Sequence, residues 1–194
     1  MTIEMATFGG GCFWCTEAVF QQLRGVKSVD SGYSGGTLES PSSEQVSEGN
    51  SGHAEVVRLS FDSSLVSYRT LLEIFFATHD PTTLHRQGSD VGSQYRSIIF
   101  THSEEQDAMA QKVMNEIACV WDAPLVTELR SAPQFYLAEE YHQNYFKLNG
   151  HQSYCSLVVA PKVQIAREYA RVSAAGPARG KKFNYSGYMN AMLN

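Results

Sequence analysis

Hydrophobic positions along this chain fall into short runs of helical or strand period, separated by polar, glycine-rich stretches. The apolar-rich run Ile3 to Phe8 predicts a strand, and a helical pattern follows from Cys12 to about Gln22, closing before Gly25. Val26 to Tyr33 can form a second strand. Residues 35–52 carry only Leu38 and Val46 among Gly, Ser, Glu and Asn, and read as a long loop of the kind that is usually functional or disordered. His53 to Phe61 alternates as a strand, and Ser67 can cap a helix carrying Leu71, Leu72, Phe75 and Phe76 that ends near His79-Asp80-Pro81. Thr82 to Gly92 is a second polar loop, leading into a strand from Tyr95 to Phe100. Ser103 and Gln106 form a capping box for a helix with Met109, Val113 and Ile117 on one face. Leu125 to Arg130 reads as a strand and Leu137 to Leu148 as a short helix. There is no internal repeat. Strands and helices mixed without strict alternation predict an α+β, two-layer domain with a mixed sheet over residues 1–172. The stretch 173–194 is short of core residues and reads as a peripheral extension.

Composition narrows the function classes. At 194 residues the chain suits one sizeable core. A net charge of −5, with no basic run before Lys181-Lys182, argues against a nucleic-acid-binding surface. No segment approaches the ~20 apolar residues of a membrane span. Met1-Thr2-Ile3-Glu4-Met5 lacks the basic and apolar regions of a secretory signal, so a reducing, cytoplasmic location is expected. Four cysteines in such a compartment are reactive, metal-bound or buried rather than a disulfide framework.

The segment Gly9-Gly10-Gly11-Cys12-Phe13-Trp14-Cys15-Thr16-Glu17 carries the sharpest chemistry. Three glycines allow a tight turn and close approach of another molecule. Cys12 falls where a helix begins, among unpaired N–H groups at the positive end of the dipole, which favours a thiolate. Two aromatics follow it, and Cys15 comes one helical turn later. The bland alternative is a small buried hydrophobe under a glycine turn.

Glu55 is a carboxylate on the wrong face of its strand. Alternation groups it with Val57, Leu59 and Phe61, where burial would keep it protonated near neutral pH. A neutral carboxylic acid is what a reaction needs to deliver a proton to a poor leaving oxygen. A carboxylate that merely ends the strand in water is the competing reading. Tyr33, Asp90 and Tyr95 stand beside glycines in the loops, and a tyrosine hydroxyl can donate to an oxygen while its ring packs against a small apolar group.

Taken together, the segments resemble the A-type peptide methionine sulfoxide reductases over roughly Thr7 to Pro161. The resemblance rests on Gly11-Cys12-Phe13-Trp14, Gly32-Tyr33-Ser34-Gly35-Gly36, Gly52-His53-Ala54-Glu55, His79-Asp80-Pro81, Gln94-Tyr95-Arg96-Ser97, Glu140-Tyr141-His142-Gln143 and Tyr154-Cys155. It implies a ferredoxin-like fold and no cofactor or metal. It implies as well that Cys12 attacks the sulfoxide sulfur, Phe13 and Trp14 hold the substrate methyl, and Glu55 protonates the departing oxygen. Tyr95 would donate a hydrogen bond and Asp90 would shape the polar side. Cys12 is left as a sulfenic acid, which a second thiol condenses to a disulfide, with thioredoxin as the final reductant. The substrate implied is the S epimer of methionine sulfoxide, free or in proteins, with no nucleic-acid or membrane partner.

The chain departs from the family pattern twice. Where members commonly carry a second oxygen-binding tyrosine, this sequence has Ser43. Its hydroxyl could act through a water, Tyr33 could reach in, or turnover could rest on Tyr95 and Glu55, the reading we favour. Cys15 replaces a common glycine and faces Cys12 at helical spacing, while Cys155 matches the usual resolving position and sits in a segment between Gly150 and Pro161 read as flexible. Cys155 is favoured as resolver, with Cys15 the alternative or the next thiol in a relay. Cys119 reads as structural. The rival classes are a zinc site built on Cys12 and Cys15, a thioredoxin-type oxidoreductase and a non-catalytic binding domain. The first lacks a second close ligand pair. The tail tyrosines Tyr185 and Tyr188 have no assigned role.

Overall fold

The alternation that singles out Glu55 runs along the central strand of the sheet. The computed structural model describes residues 2–174. Strand β1 (Ile3–Gly9) leads through the glycine turn to helix α1 (Phe13–Phe20), then to β2 (Val26–Ser34), a short α2 (Ser43–Ser47) and β3 (Ala54–Asp62). Helix α3 (Tyr68–Ala77), a two-residue hairpin of β4 (Arg86–Gln87) and β5 (Asp90–Val91), β6 (Ile98–Thr101) and α4 (Glu104–Ile117) follow. The chain ends with β7 (Glu128–Ser131), β8 (Phe135–Leu137), α5 (Tyr145–Asn149) and α6 (Ala160–Ala174). The main sheet has the order β7-β6-β1-β3-β2-β8. All neighbours are antiparallel except β6 and β7, so the sheet is mixed and the domain α+β.

One face of the sheet carries the helices. Ala6 and Phe8 of β1 with Val57, Leu59 and Phe61 of β3 meet Phe20 of α1, Leu72 and Phe75 of α3, Val113 of α4 and Ala166 of α6 in a single buried core. Phe8 lies at its centre, stacked on Phe20 and Phe75 with centroids 5.3 and 5.1 Å away. Burial of each such side chain contributes roughly 1.5–3 kcal/mol. The opposite face, with Ala54, Val56, Ile98 and Phe100, is covered by Ala132 and Phe135, and the Arg58 guanidinium caps the Phe135 ring at 4.1 Å. The two layers are therefore helices on sheet.

Local chemistry decides where the elements begin. Ser67 and Ser103 cap α3 and α4 by accepting from the Thr70 and Gln106 amides. The Gln106 carboxamide, however, accepts from the His102 amide rather than from Ser103, so the expected box is displaced by one residue. Residues 35–52 are not all loop: Ser42 and Gln45 make a reciprocal capping box that starts α2, with Val46 as its one buried residue. Tyr95 belongs to a 3-10 turn, Ser93–Tyr95, because its amide donates back to Gly92 O, and the strand starts only at Ile98. The expected helix from Leu137 to Leu148 is three elements: the end of β8, a 3-10 turn over Glu140–His142, and α5. Asn144, in the left-handed region at φ 56°, separates the last two. The expected extension over 173–194, apart from the last residues of α6, lies outside the described residues. Among the described residues no helix is long and apolar enough to cross a membrane.

Candidate active site

The turn after β1 delivers Cys12 to the start of α1. Gly11 adopts φ +94°, and a Cβ there would meet the Gln87 side chain at 2.6 Å, so only glycine lets the loop pass this close to the β4–β5 hairpin. Cys12 is the residue before α1, extended at φ −57° and ψ 128°, and the Cys15 amide donates to its carbonyl at 3.1 Å. Its thiol pKa is held well above the ordinary value by burial, helped by the charge of Glu55 and by Cys15. The Trp14 N–H and the Tyr154 hydroxyl oppose this. The thiolate expected from the helix terminus is thus overruled in the resting protein, because desolvation outweighs the few N–H groups that face the sulfur.

Glu55 is buried at 8% exposure, on the core face of β3. Its Oε2 accepts from the Phe13 amide at 3.0 Å. Burial raises its pKa to about 7, with Asp90 adding to the rise. The Phe13 amide and a hydrogen bond with the Cys12 thiol pull the other way without prevailing. A carboxyl group that takes and gives a proton near neutrality lies in contact with the sulfur.

Two further polar groups, Tyr154 and Tyr95, act on the same sulfur, and Asp90 holds the first of them. The Tyr154 hydroxyl donates to Asp90 Oδ2 at 2.8 Å and lies 3.7 Å from Cys15 Sγ. Tyr95 feels Glu55, Cys12 and Asp90, and burial with those charges pushes its phenol up to about 12. It stays a hydrogen-bond donor across the physiological range. Among the described residues no group of three or more His, Cys, Asp or Glu side chains could hold a metal ion.

The apolar wall rests on a second segment. Trp14 stacks flat on Tyr145, with centroids 3.6 Å apart and planes 4° off parallel, and its indole N–H donates to His142 Nδ1 at 3.1 Å. Phe13 is only 2% exposed and packs beneath, 5.0 Å from the His142 ring and 5.7 Å from Tyr33. Glu17, buried in α1, ties this segment down: its carboxylate accepts from the amides of Asn144 and Tyr145 at 2.7 and 3.1 Å. It caps the start of α5 and fixes the ring that Trp14 lies on.

Ser43, at the start of α2, has its hydroxyl 2.8 Å from the hydroxyl of Tyr141, an exposed ring lying against His142. The Tyr33 hydroxyl donates to Glu139 at 2.9 Å, and the same carboxylate accepts from the Ser43 amide. Tyr33 is therefore engaged with Glu139 rather than free to reach Cys12.

The thiols separate into two kinds. Cys15 and Cys155 are buried in one cluster with Ala18, Val159 and Val163. Cys155 is fully buried in a π-helical turn, Cys155–Val159, that runs directly into α6, so the flexible segment expected around it is instead a packed helical one. Cys119, read from the sequence as structural, is exposed just beyond α4, its sulfur 3.4 Å from the Glu116 carbonyl. The structure brings Cys12, Cys15, Glu55, Asp90, Tyr95 and Trp14 together, and adds Tyr154, His142, Tyr145 and Glu17. Tyr154 and His142 already stood in the quoted motifs, but only their side-chain directions mark them as part of the site.

A half-buried thiol coupled to a protonatable carboxyl beside an aromatic wall defines a thiol-dependent oxidoreductase site. The family model of peptide methionine sulfoxide reductase matches residues 4–173. The chain is 57% identical over 164 residues to a peptide methionine sulfoxide reductase MsrA of Polynucleobacter asymbioticus, covering 84% of this chain and 86% of that one. Among solved structures it is similar to reduced Mxr1 from Saccharomyces cerevisiae, with a TM-score of 0.75, 32% identity and coverage of 79% and 89%. Mxr1 in complex with Trx2 matches at a TM-score of 0.54 and 26% identity, over 74% of this chain and 84% of that one. The chain belongs to the peptide methionine sulfoxide reductase family, and is an oxidoreductase that acts on the sulfur of methionine sulfoxide.

Proposed function

We propose that the domain over residues 1–172 reduces methionine-(S)-sulfoxide, free or in proteins, with Cys12 as nucleophile and Glu55 as proton carrier. The contact between the Cys12 thiol and a carboxyl of pKa about 7 carries this reading. With one proton shared by the pair, the thiol passes it to Glu55 as the sulfoxide enters. The thiolate attacks the substrate sulfur, and Glu55 gives the proton to the oxygen. Phe13 and Trp14 border the place of the S-methyl group, Tyr95 supplies a hydrogen bond to the oxygen, and Asp90 holds Tyr154 toward the thiols. The hydroxyl then passes from the substrate sulfur to Cys12 Sγ as the S–S link between them breaks, so methionine leaves and Cys12 is left as a sulfenic acid. The S epimer follows from the family resemblance.

Recycling is a relay. Cys12 lies outside the regular helix and Cys15 inside it, so the pair straddles a helix start, an arrangement in which a disulfide need not strain a continuous helix. Cys15 condenses with the sulfenic acid, releasing water, and Cys155, its neighbour in the buried cluster, then takes over the disulfide by exchange. A thioredoxin-type reductant completes the cycle, a reading supported by the solved complex of yeast Mxr1 with Trx2. Four reduced cysteines suit the cytoplasm. The test is methionine released without reductant. With excess substrate, Cys15→Ser and Cys155→Ser should each yield about one methionine per enzyme and wild type, whose relay frees Cys12 again, about two, while Cys12→Ser yields none. Methionine from Cys12→Ser would overturn the assignment.

A further inference from the structure

Behind α1 lies a small cavity of about 10 Å³ that Cys12 does not line. Cys15 forms one wall, with Gly10, Thr16, His79 and Lys162 around it. Lys162 is half-buried on the first turn of α6, and no carboxylate of the described residues lies within ion-pair distance of it. Lys162 faces both the buried Cys15 thiol and the His79 ring across this cavity, and its charge disfavours the protonated form of each. We propose that Lys162 is the positioning residue that eases ionisation of the Cys15 thiol at the disulfide step, an inference resting on the reading of Cys15 as a resolving thiol.

The surroundings of Cys15 leave that role to Lys162. Burial raises the thiol pKa, and Asp90 and Glu55 raise it further, while Lys162 is the foremost influence lowering it and the Tyr154 hydroxyl follows. Cys12 and Cys155 are neighbouring thiols whose ionisation would add negative charge. His79 on the cavity wall is no substitute, since burial lowers its pKa to about 4 and leaves it neutral. Its ring nitrogens are also engaged, with the Phe75 carbonyl at 2.6 Å and Ser97 Oγ at 2.7 Å.

The step balances as follows. The Cys15 thiolate attacks Sγ of the Cys12 sulfenic acid, the S–S bond forms and the S–O bond breaks. Hydroxide leaves and takes up the proton that Cys15 gave up, so the net product is water. No outside oxidant or reductant enters. Lys162 keeps its own proton throughout and contributes only its charge.

The experiment compares wild type with Lys162→Met and Lys162→Arg after one equivalent of methionine sulfoxide, following disulfide formation by quenched thiol counts across pH. The expected result is a slowing on the order of tenfold in Lys162→Met near neutral pH, with the pH midpoint moved upward. Lys162→Arg should restore both. A second readout is the ultraviolet thiolate absorbance of the resting enzyme, isolated for Cys15 by subtracting the Cys15→Ser variant. Its midpoint should rise in Lys162→Met. An unchanged Cys15 titration would overturn the role of Lys162. Peptide mapping that finds Cys12 joined first to Cys155 would overturn the resolver reading instead, and the absorbance titration would still judge Lys162.

Discussion

The amide of Phe13 donates to the carboxyl group of Glu55 at 3.0 Å, so the first peptide of α1 holds the acid against the thiol that precedes it. One turn of backbone thus fixes both halves of a proton-sharing pair. With a pKa of about 7 for Glu55 and a thiol pKa raised by burial, the form with one proton on the pair prevails just above neutrality. The single-turnover rate should therefore rise with pH to about 7 and then level. Glu55→Gln should lose this limb and about 10²–10⁴-fold in rate. A wild-type rate that instead falls through that range would mean that two protons are required.

The same burial has a stability cost with a defined sign. Glu55 has a folded pKa of about 7 against an ordinary 4.5, so the folded state binds the proton more tightly. Its contribution is most favourable at low pH and is lost as pH rises from about 4.5 through 7. Above that window the buried charge costs about 3 kcal/mol. Chemical denaturation should find Glu55→Gln more stable than wild type near pH 8, with most of the gain gone near pH 5. Equal gains at both would show that the carboxyl titrates normally in the folded protein.

Glu17 makes a structural prediction. It accepts two amide hydrogen bonds at the start of α5, and hydrogen bonds to a charged group contribute about 1.5–3 kcal/mol. Glu17→Ala should destabilise the protein by a few kcal/mol and free Tyr145 from Trp14. The near-ultraviolet circular dichroism of the stacked pair should weaken, and KM should rise more than kcat falls. Unaltered dichroism would mean that the stack does not depend on the cap.

Much of the sheet was legible because strands are short runs bounded by glycine and polar residues. β1, β2 and β3 stand where those runs were read, and alternation within β3 made Glu55 visible as a polar residue in an apolar register. The caps at Ser67 and Ser103 were legible because a hydroxyl directly before a helical pattern can accept from the first-turn amides. The region after Leu137 was not, because a left-handed Asn144 and a 3-10 turn break the helical period that the apolar residues suggest. α6 was missed behind Pro161, a residue tolerated in a first turn. In the site, residue types announced Cys12 and Glu55, but nothing local could show that Tyr154 turns toward Asp90 and Cys15, or that burial would raise the Cys12 thiol. Those depend on contacts between segments distant in the chain.

Ser43 and Tyr95 separate by what they face. The Ser43 hydroxyl is engaged with exposed Tyr141, whereas the Tyr95 phenol feels both Cys12 and Glu55. Ser43→Ala should stay within about twofold of wild type in single-turnover reduction, as a surface hydrogen bond contributes ~1 kcal/mol or less. Tyr95→Phe should slow it about tenfold or more, through loss of a donor to the developing oxygen charge. A larger loss in Ser43→Ala would return the oxygen-binding role to the α2 segment.

The order of the thiols gives the last prediction. Cys15 lies between Cys12 and Cys155 in the pattern of mutual charge effects: Cys15 raises the thiol pKa of each, and neither of the outer two raises the other. Cys155 is fully buried in a π-helical turn continuous with α6, so direct attack on Cys12 would require that turn to open, whereas Cys15 stands in the first turn of α1, three residues beyond Cys12. Quenching early after one equivalent of substrate should trap a Cys12–Cys15 disulfide, replaced later by Cys15–Cys155. In Cys155→Ser the first bridge should form at the wild-type rate and persist, with turnover on a thioredoxin-type reductant slowed. In Cys15→Ser the sulfenic acid should be long-lived enough to trap with dimedone. Rapid formation of a Cys12–Cys155 bridge in Cys15→Ser would show that the helical turn opens freely and that Cys155 resolves the sulfenic acid without a relay.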